Sequence, residues 1–177
     1  MQYTSHYQSP MGAMLLAADL EGLTGAWFQG QKYFARGLNQ ESEEQELPVF
    51  GEAKRWLDLY FSGKEPDFQV PLHFTGTGFQ NQVWEILCGI PYGKTMTYKE
   101  IAGQVAALRG LDHMSAQAAG SAVSHNPISI LVPCHRVVGT GGSLTGYAGG
   151  LDRKVKLLEL EQVDMKPFFV PARGTAL

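Results

Sequence analysis

Cysteine is scarce in this sequence: the chain has two, Cys88 and Cys134, too few for a disulfide framework. His6, His73, His113, His125 and His135 are scattered, and no CxxC or HxxxH pair offers zinc spacing, so no metal is expected. No apolar run reaches the roughly 18 residues that a membrane span needs. The opening stretch MQYTSHYQSPMGAMLLAADLEG lacks the basic and long apolar regions of an export signal. Together these absences predict a reduced, soluble, cytoplasmic protein with no membrane partner. Internal repeats and low-complexity tracts are missing too, and neither sign of charge dominates, the formal net charge being −3.

What is present is ordinary globular composition, 44% hydrophobic and 18% charged. The charge is unevenly divided. Residues 1–76 carry 5 basic against 10 acidic side chains, and residues 77–177 carry 9 against 7. Only the second part can welcome a phosphate backbone, and its excess is modest.

The texture of the chain follows the same division. Tyr3 to Tyr7 alternates polar and apolar positions, and GAMLLAA and LTGAWFQ read as two strands around a tight turn. NQESEEQE reads as an acidic loop. Val49, Phe50, Ala53, Trp56, Leu57, Tyr60 and Phe61 then fall at helical spacing. FQVPLHF is a candidate further strand, and TGTG marks the boundary of a first domain over residues 1–76. Beyond it, Thr77 with Gln80 and Thr97 with Glu100 form capping-box patterns that open two helices. A third, built from small residues, begins near Ser115 and must stop by Asn126, because Pro127 disfavours helical geometry in the residue before it. Such a helix suits either tight packing or close approach to a DNA groove.

Residues 130–138 read ILVPCHRVV. ISILV suggests a buried strand or extended segment that delivers Cys134 on a rigid support, with His135 directly after it. A thiolate is the nucleophilic form of cysteine, and a positioned imidazole is the usual means of making it at neutral pH. The imidazole in turn needs an orienting carboxylate, for which Glu161 in LDRKVKLLELEQV is the candidate. Adjacency alone also admits a buried thiol beside a surface imidazole. A papain-like hydrolase fits poorly, since its cysteine and histidine stand far apart in sequence.

NPISILVPCHRVV, the glycine-rich TGGSLTGYAGGLDRK and LLELE, with FQNQVWEIL and IPYGKTMTY upstream, resemble the O6-alkylguanine-DNA alkyltransferases. The likeness is dense over residues 79–165, whereas the N-terminal part matches only in length and general pattern. The resemblance implies an α+β fold: a small N-terminal domain of sheet and helix, then a helical, winged-helix-like DNA-binding domain over residues 77–166 with a helix-turn-helix, and a tail at 167–177. It implies Cys134 as alkyl acceptor, His135 as water-linked base, Glu161 as the carboxylate orienting it, Asn126 as a brace of the active-site turn, and Tyr98 as donor to a ring nitrogen of a flipped guanine. Val137 would offer its carbonyl to the exocyclic amine, and Tyr147 and Ala148 would belong to the pocket loop. Gln117, Arg136 and Lys154 are expected on the substrate or DNA side, Arg136 alternatively as a structural cation.

The implied activity is single-turnover repair of O6-alkylguanine, and of O4-alkylthymine, in double-stranded DNA, by a monomer that needs no cofactor. Two departures stand out. Gln117 occupies the place where many members carry an arginine finger, behind a long LRGLDHM connection, and the zinc ligands of some members are missing. Cys88, on a predicted apolar helix face, reads as core. A non-catalytic damage-sensing protein on the same scaffold is the alternative, yet such relatives replace the acceptor cysteine, which this chain keeps.

Overall fold

Alternating apolar positions near the start of the chain form three antiparallel strands, β1 (Tyr3–Ser9), β2 (Gly12–Ala18) and β3 (Leu23–Phe28). The computed structural model describes residues 1–171. Met1–Thr75 and Pro127–Ser129 form one compact unit; Gly76–Asn126 and residues 130–171 form a second.

In the first unit the strands run in the order β3-β2-β1-β4, where β4 (Glu43–Glu44) pairs parallel to β1. The sequence predicts only an acidic loop there, because an exposed two-residue strand has no hydrophobic periodicity to read. Leu15, Ala17 and Trp27 share one face of the sheet with Phe34, Ala35 and Leu38 packed on it, as the period of 2 along a strand requires. Helix α1 (Pro48–Phe61) begins on a proline suited to a helix N-terminus and buries Phe50, Ala53, Leu57 and Tyr60 against the strands. FQVPLHF does not become a full strand. Pro71, which has no N–H to donate, limits it to one bridge, in which Leu23 donates to the Pro71 carbonyl and His73 to the Leu23 carbonyl, each at 2.8 Å. Residues 127–129 continue this pairing on β3: Ala26 donates to Pro127 at 2.8 Å and Ser129 to Ala26 at 2.9 Å.

In the second unit, α2 (Gly78–Cys88) and α3 (Tyr98–Leu108) each start in a complete capping box, Thr77 with Gln80 and Thr97 with Glu100. Helix α4 (Ala116–Ser124) is capped by the Ser115 hydroxyl, which accepts from the Ala118 N–H at 3.1 Å. The three helices pack on one another. Ala119, Gly120 and Ala122 form the buried side of α4, and the Trp84 indole of α2 donates to the Ala122 carbonyl at 2.9 Å. Cys88 is exposed rather than core, since Val83, Trp84 and Leu87 take the buried face and the helix ends at Cys88.

ISILV is not a strand either. Ile130 sits in the left-handed region at φ 72°, costly for a β-branched residue. The chain therefore turns before the 3-10 turn Cys134–Arg136. Strand β5 (Met96–Thr97) pairs parallel with β6 (Val137–Val138), and α5 (Leu151–Leu160) follows. Residues 167–171 run along the loop after β6: Leu144 donates to the Phe169 carbonyl at 2.9 Å and Phe169 to the Gly142 carbonyl at 3.0 Å. A Cβ on Gly142 would lie 2.0 Å from the Pro167 carbonyl oxygen, so only glycine permits this approach. Phe168 packs on Val138, Leu144 and Leu158.

Candidate active site

Pro133 leads into the 3-10 turn that carries Cys134, His135 and Arg136 in consecutive positions, all buried. Burial raises the Cys134 thiol above its ordinary range. A hydrogen bond from Asn126, the charge of Lys154 and nearby backbone N–H groups oppose that rise. The resting group is a protonated thiol whose polar contacts only partly offset its burial, and a base must complete the ionisation.

His135 is placed for that task. Its Nε2 lies 2.5 Å from Glu161 Oε2, and neither side chain reaches solvent. Burial holds the imidazole below its ordinary range despite the pull of Glu161, with Arg136 and Lys154 adding to the depression. The ring is therefore neutral. Facing a carboxylate, it keeps its proton on Nε2 and a basic lone pair on Nδ1.

Glu161 caps the C-terminus of α5. Burial alone would raise its carboxyl, yet the hydrogen bonds of His135 and Arg136 and the Arg136 charge together hold it down to about 2. Its Oε1 accepts from Arg136 Nε at 2.8 Å and from the Gly93 N–H at 2.9 Å. Arg136 Nη1 donates to the Ile90 carbonyl at 2.8 Å, and its guanidinium lies 5.6 Å from the Tyr92 ring centre. Residues 90–93 thus secure the carboxylate, a role the sequence reading missed although IPYG lies within the matched motif.

Asn126 joins the turn to the thiol. Its Nδ2 donates to the Val132 carbonyl at 2.9 Å and the amide also bonds the Cys134 sulfur. Tyr98 opens α3 directly after β5, so pairing of Met96 with Val137 and Thr97 with Val138 sets it at the end of β6. The Tyr98 hydroxyl donates to the Thr145 carbonyl at 2.9 Å. Burial, then the Cys134 charge, raise the phenol, which remains a donor. The Tyr147 ring meets His135 edge to face with centroids 6.4 Å apart. Ala148, next in the loop, is half-buried.

Arg136 and Lys154 are both buried, 8% and 0% exposed, away from any surface a phosphate backbone could follow. Arg136 is thus placed as a structural cation, serving the Glu161 carboxylate, rather than as a DNA-side one. Lys154 Nζ donates to the Val137 and Thr145 carbonyls at 2.5 and 2.7 Å. Gln117 is exposed in the first turn of α4, outside this hydrogen-bonded cluster. Arg109, the C-cap of α3, is engaged by α2, with Nε donating to Gln82 Oε1 at 2.7 Å and its guanidinium 5.3 Å from the Phe79 ring centre. Apart from this cluster, Asp19, Glu21 and His73 place their ligand atoms within 4.8 Å of one another. There, His73 Nδ1 faces Asp19 and Nε2 faces Glu21, so the ring bridges two carboxylates. Among the described residues no helix is long and apolar enough to cross a membrane.

Residues 78–163 match the family model for the 6-O-methylguanine DNA methyltransferase DNA-binding domain, and residues 2–74 match its ribonuclease-like domain. The chain is similar to the methylated-DNA–protein-cysteine methyltransferase of Methanosarcina barkeri, 43% identical over 93% of this chain and 99% of that protein. Its namesake from Mycobacterium leprae is 45% identical over 87% and 88%. Among solved structures, Mycobacterium tuberculosis OGT in complex with DNA superposes with a TM-score of 0.79 at 41% identity, covering 90% of this chain and 93% of that one. With both parts of the chain matched and the cysteine, histidine and glutamate joined in one buried cluster, the chain belongs to the methylated-DNA–protein-cysteine methyltransferase family.

Proposed function

We propose that this protein repairs DNA by moving the alkyl group of O6-alkylguanine, and of O4-alkylthymine, to Cys134, once per molecule. The observation that carries this reading is the buried His135–Glu161 pair directly behind a buried cysteine whose sulfur is bonded by Asn126. The alkyl carbon of a stacked base cannot meet a buried sulfur, so the nucleotide must leave the duplex, at a cost of a few kcal/mol. Exposed Gln117 and the start of α4 are the proposed groove contact.

The chemistry is one displacement. His135 takes the thiol proton through a water, Cys134 attacks the alkyl carbon, the carbon–oxygen bond breaks, and a carbon–sulfur bond forms. The Tyr98 hydroxyl turns to a ring nitrogen of the departing guanine and lowers the cost of its negative charge. The Val137 carbonyl accepts from the exocyclic amine, while Tyr147 and Ala148 flank the alkylated oxygen. In net balance the thiol proton ends on guanine, and no cofactor enters. A simple thioether offers no easy route back to the thiol, so the protein is consumed. A cytoplasmic monomer acting on double-stranded DNA fits the sequence.

The test is intact-mass measurement after incubation with a duplex containing O6-methylguanine. One methyl group should appear, on the peptide holding Cys134, and none on Cys134→Ser. Sustained turnover, or a Cys134 variant that still repairs, would overturn the proposal.

A further inference from the structure

A lysine with no exposed surface is costly, because its ammonium leaves water for a poorly polarisable interior. Methionine would fill a similar volume without that cost. Lys154 is such a lysine, completely buried on α5. Its Nζ reaches across to two main-chain carbonyls from different parts of the site, Val137 on β6 and Thr145 in the loop after it. The Thr145 carbonyl also accepts the Tyr98 hydroxyl at 2.9 Å, so both of its lone pairs are occupied. The same ammonium lies 5.9 Å from the Tyr98 ring centre.

This geometry has a consequence for the alkyl transfer proposed above, on which the inference rests. Tyr98 must abandon the Thr145 carbonyl to donate to a base, and an abandoned buried acceptor would oppose the move. With Lys154 in place the carbonyl keeps a charged donor throughout. We propose that Lys154 is a positioning residue for transfer: its ammonium ties the Val137 and Thr145 carbonyls into one fixed edge of the pocket and frees Tyr98 to turn toward the substrate. Its positive charge also faces Cys134 and His135 of the 3-10 turn, where it favours the thiolate and the neutral imidazole. Burial lowers the Lys154 ammonium to about 8, with the Cys134 charge opposing, so the charge is present at neutral pH and lost above that value.

The test compares single-turnover transfer from an O6-methylguanine duplex at saturating DNA for the full chain, Lys154→Met and Lys154→Gln, with thermal melts confirming folding. Both variants should lose at least about tenfold in rate, the scale of a charged hydrogen bond to a buried group. Affinity for an unmodified duplex and its salt dependence should stay within about twofold, because a buried lysine neutralises no phosphate. The wild-type transfer rate, taken relative to iodoacetamide alkylation of Cys134 at the same pH so that thiol ionisation cancels, should decline above a pH of about 8, and that decline should be absent from both variants. Tyr98→Phe should cost much less in the Lys154→Met background than in the wild type. Unchanged rates, or additive effects of Tyr98→Phe and Lys154→Met, would overturn the inference. Should neither variant fold, the wild type decides, since a ratio of transfer to alkylation that does not decline above pH 8 overturns it equally. A wild-type protein that moves no methyl group to Cys134 would instead sink the alkyl-transfer reading itself.

Discussion

His135 Nε2 and Glu161 Oε2 meet at 2.5 Å with both side chains sealed from solvent, 26 residues apart in the chain. The pair fixes which imidazole nitrogen carries the proton and ties the end of α5 to the turn that presents Cys134. Removing His135 leaves the carboxylate to Arg136 and the Gly93 N–H, and removing Glu161 takes away the acceptor that orients the imidazole.

The two residues are expected to act as one unit. Glu161→Gln and His135→Ala should each slow alkyl transfer strongly, and the double substitution should be little worse than the slower single one. Rates from single-turnover quench, with duplex binding measured in parallel, check this. Additive losses would mean that Glu161 has another task.

Acid should destabilise the fold in a defined window. Burial depresses His135 below its ordinary 6.5, and His135 with Arg136 hold Glu161 at about 2 against an ordinary 4.5. Both folded-state values lie below the unfolded ones, so the unfolded chain binds more protons as pH falls. Stability is therefore intact above about pH 6.5 and drains away below it, through 4.5 toward 2. Thermal melts across this range should show the fall, with a flatter profile below pH 4.5 in Glu161→Gln.

Asn126 both braces the turn and bonds the sulfur. Asn126→Ala leaves the buried Val132 carbonyl without that donor, costing about 1–3 kcal/mol of stability, and removes a contact that favours the thiolate. Asn126→Asp should be worse for transfer, since a carboxylate repels the thiolate. Iodoacetamide reaction rates of Cys134 against pH would show its apparent pKa rising in both variants; an unmoved profile would confine Asn126 to bracing.

Gln117 is expected to support base extrusion less well than a cation, because an amide keeps hydrogen-bonding capacity but adds nothing in the phosphate field. Arg109 is engaged by Gln82 and Phe79. Gln117→Arg should therefore raise the single-turnover rate on duplex DNA and leave the rate on a free O6-alkylguanine base almost alone. Equal duplex rates at one fixed salt concentration would show that glutamine already suffices.

The segment after α5 should matter to the pocket loop. Phe168→Ala is expected to destabilise the protein by about 1–2 kcal/mol through lost burial against Val138, Leu144 and Leu158. Hydrogen exchange should quicken at the Leu144 amide, whose acceptor is the Phe169 carbonyl. Unchanged protection at Leu144 would argue against bracing.

By itself the sequence determined what is local. Both capping boxes need a threonine and its partner three residues on, the stop of α4 needs only Pro127, and α1 needs only the spacing of its apolar residues; all three were legible. Adjacency of Cys134 and His135 raised the nucleophile reading, the need for an orienting carboxylate pointed to Glu161, and the matching motifs supplied Asn126 and Tyr98. Tertiary structure decided everything that depends on a partner distant in the chain. Parallel pairing of β5 with β6 brings Tyr98 to the end of β6, Gly93 and Ile90 anchor Glu161 and Arg136, and Ile130 turns within ISILV, which read as a strand or extended segment. Lys154 and Cys88 show the limit most plainly. The lysine reads as a surface cation and the cysteine as core, yet the lysine is buried and the cysteine exposed. A side chain's charge or apolarity states only what its burial costs; whether two carbonyls wait inside to offset that cost is settled by the fold alone.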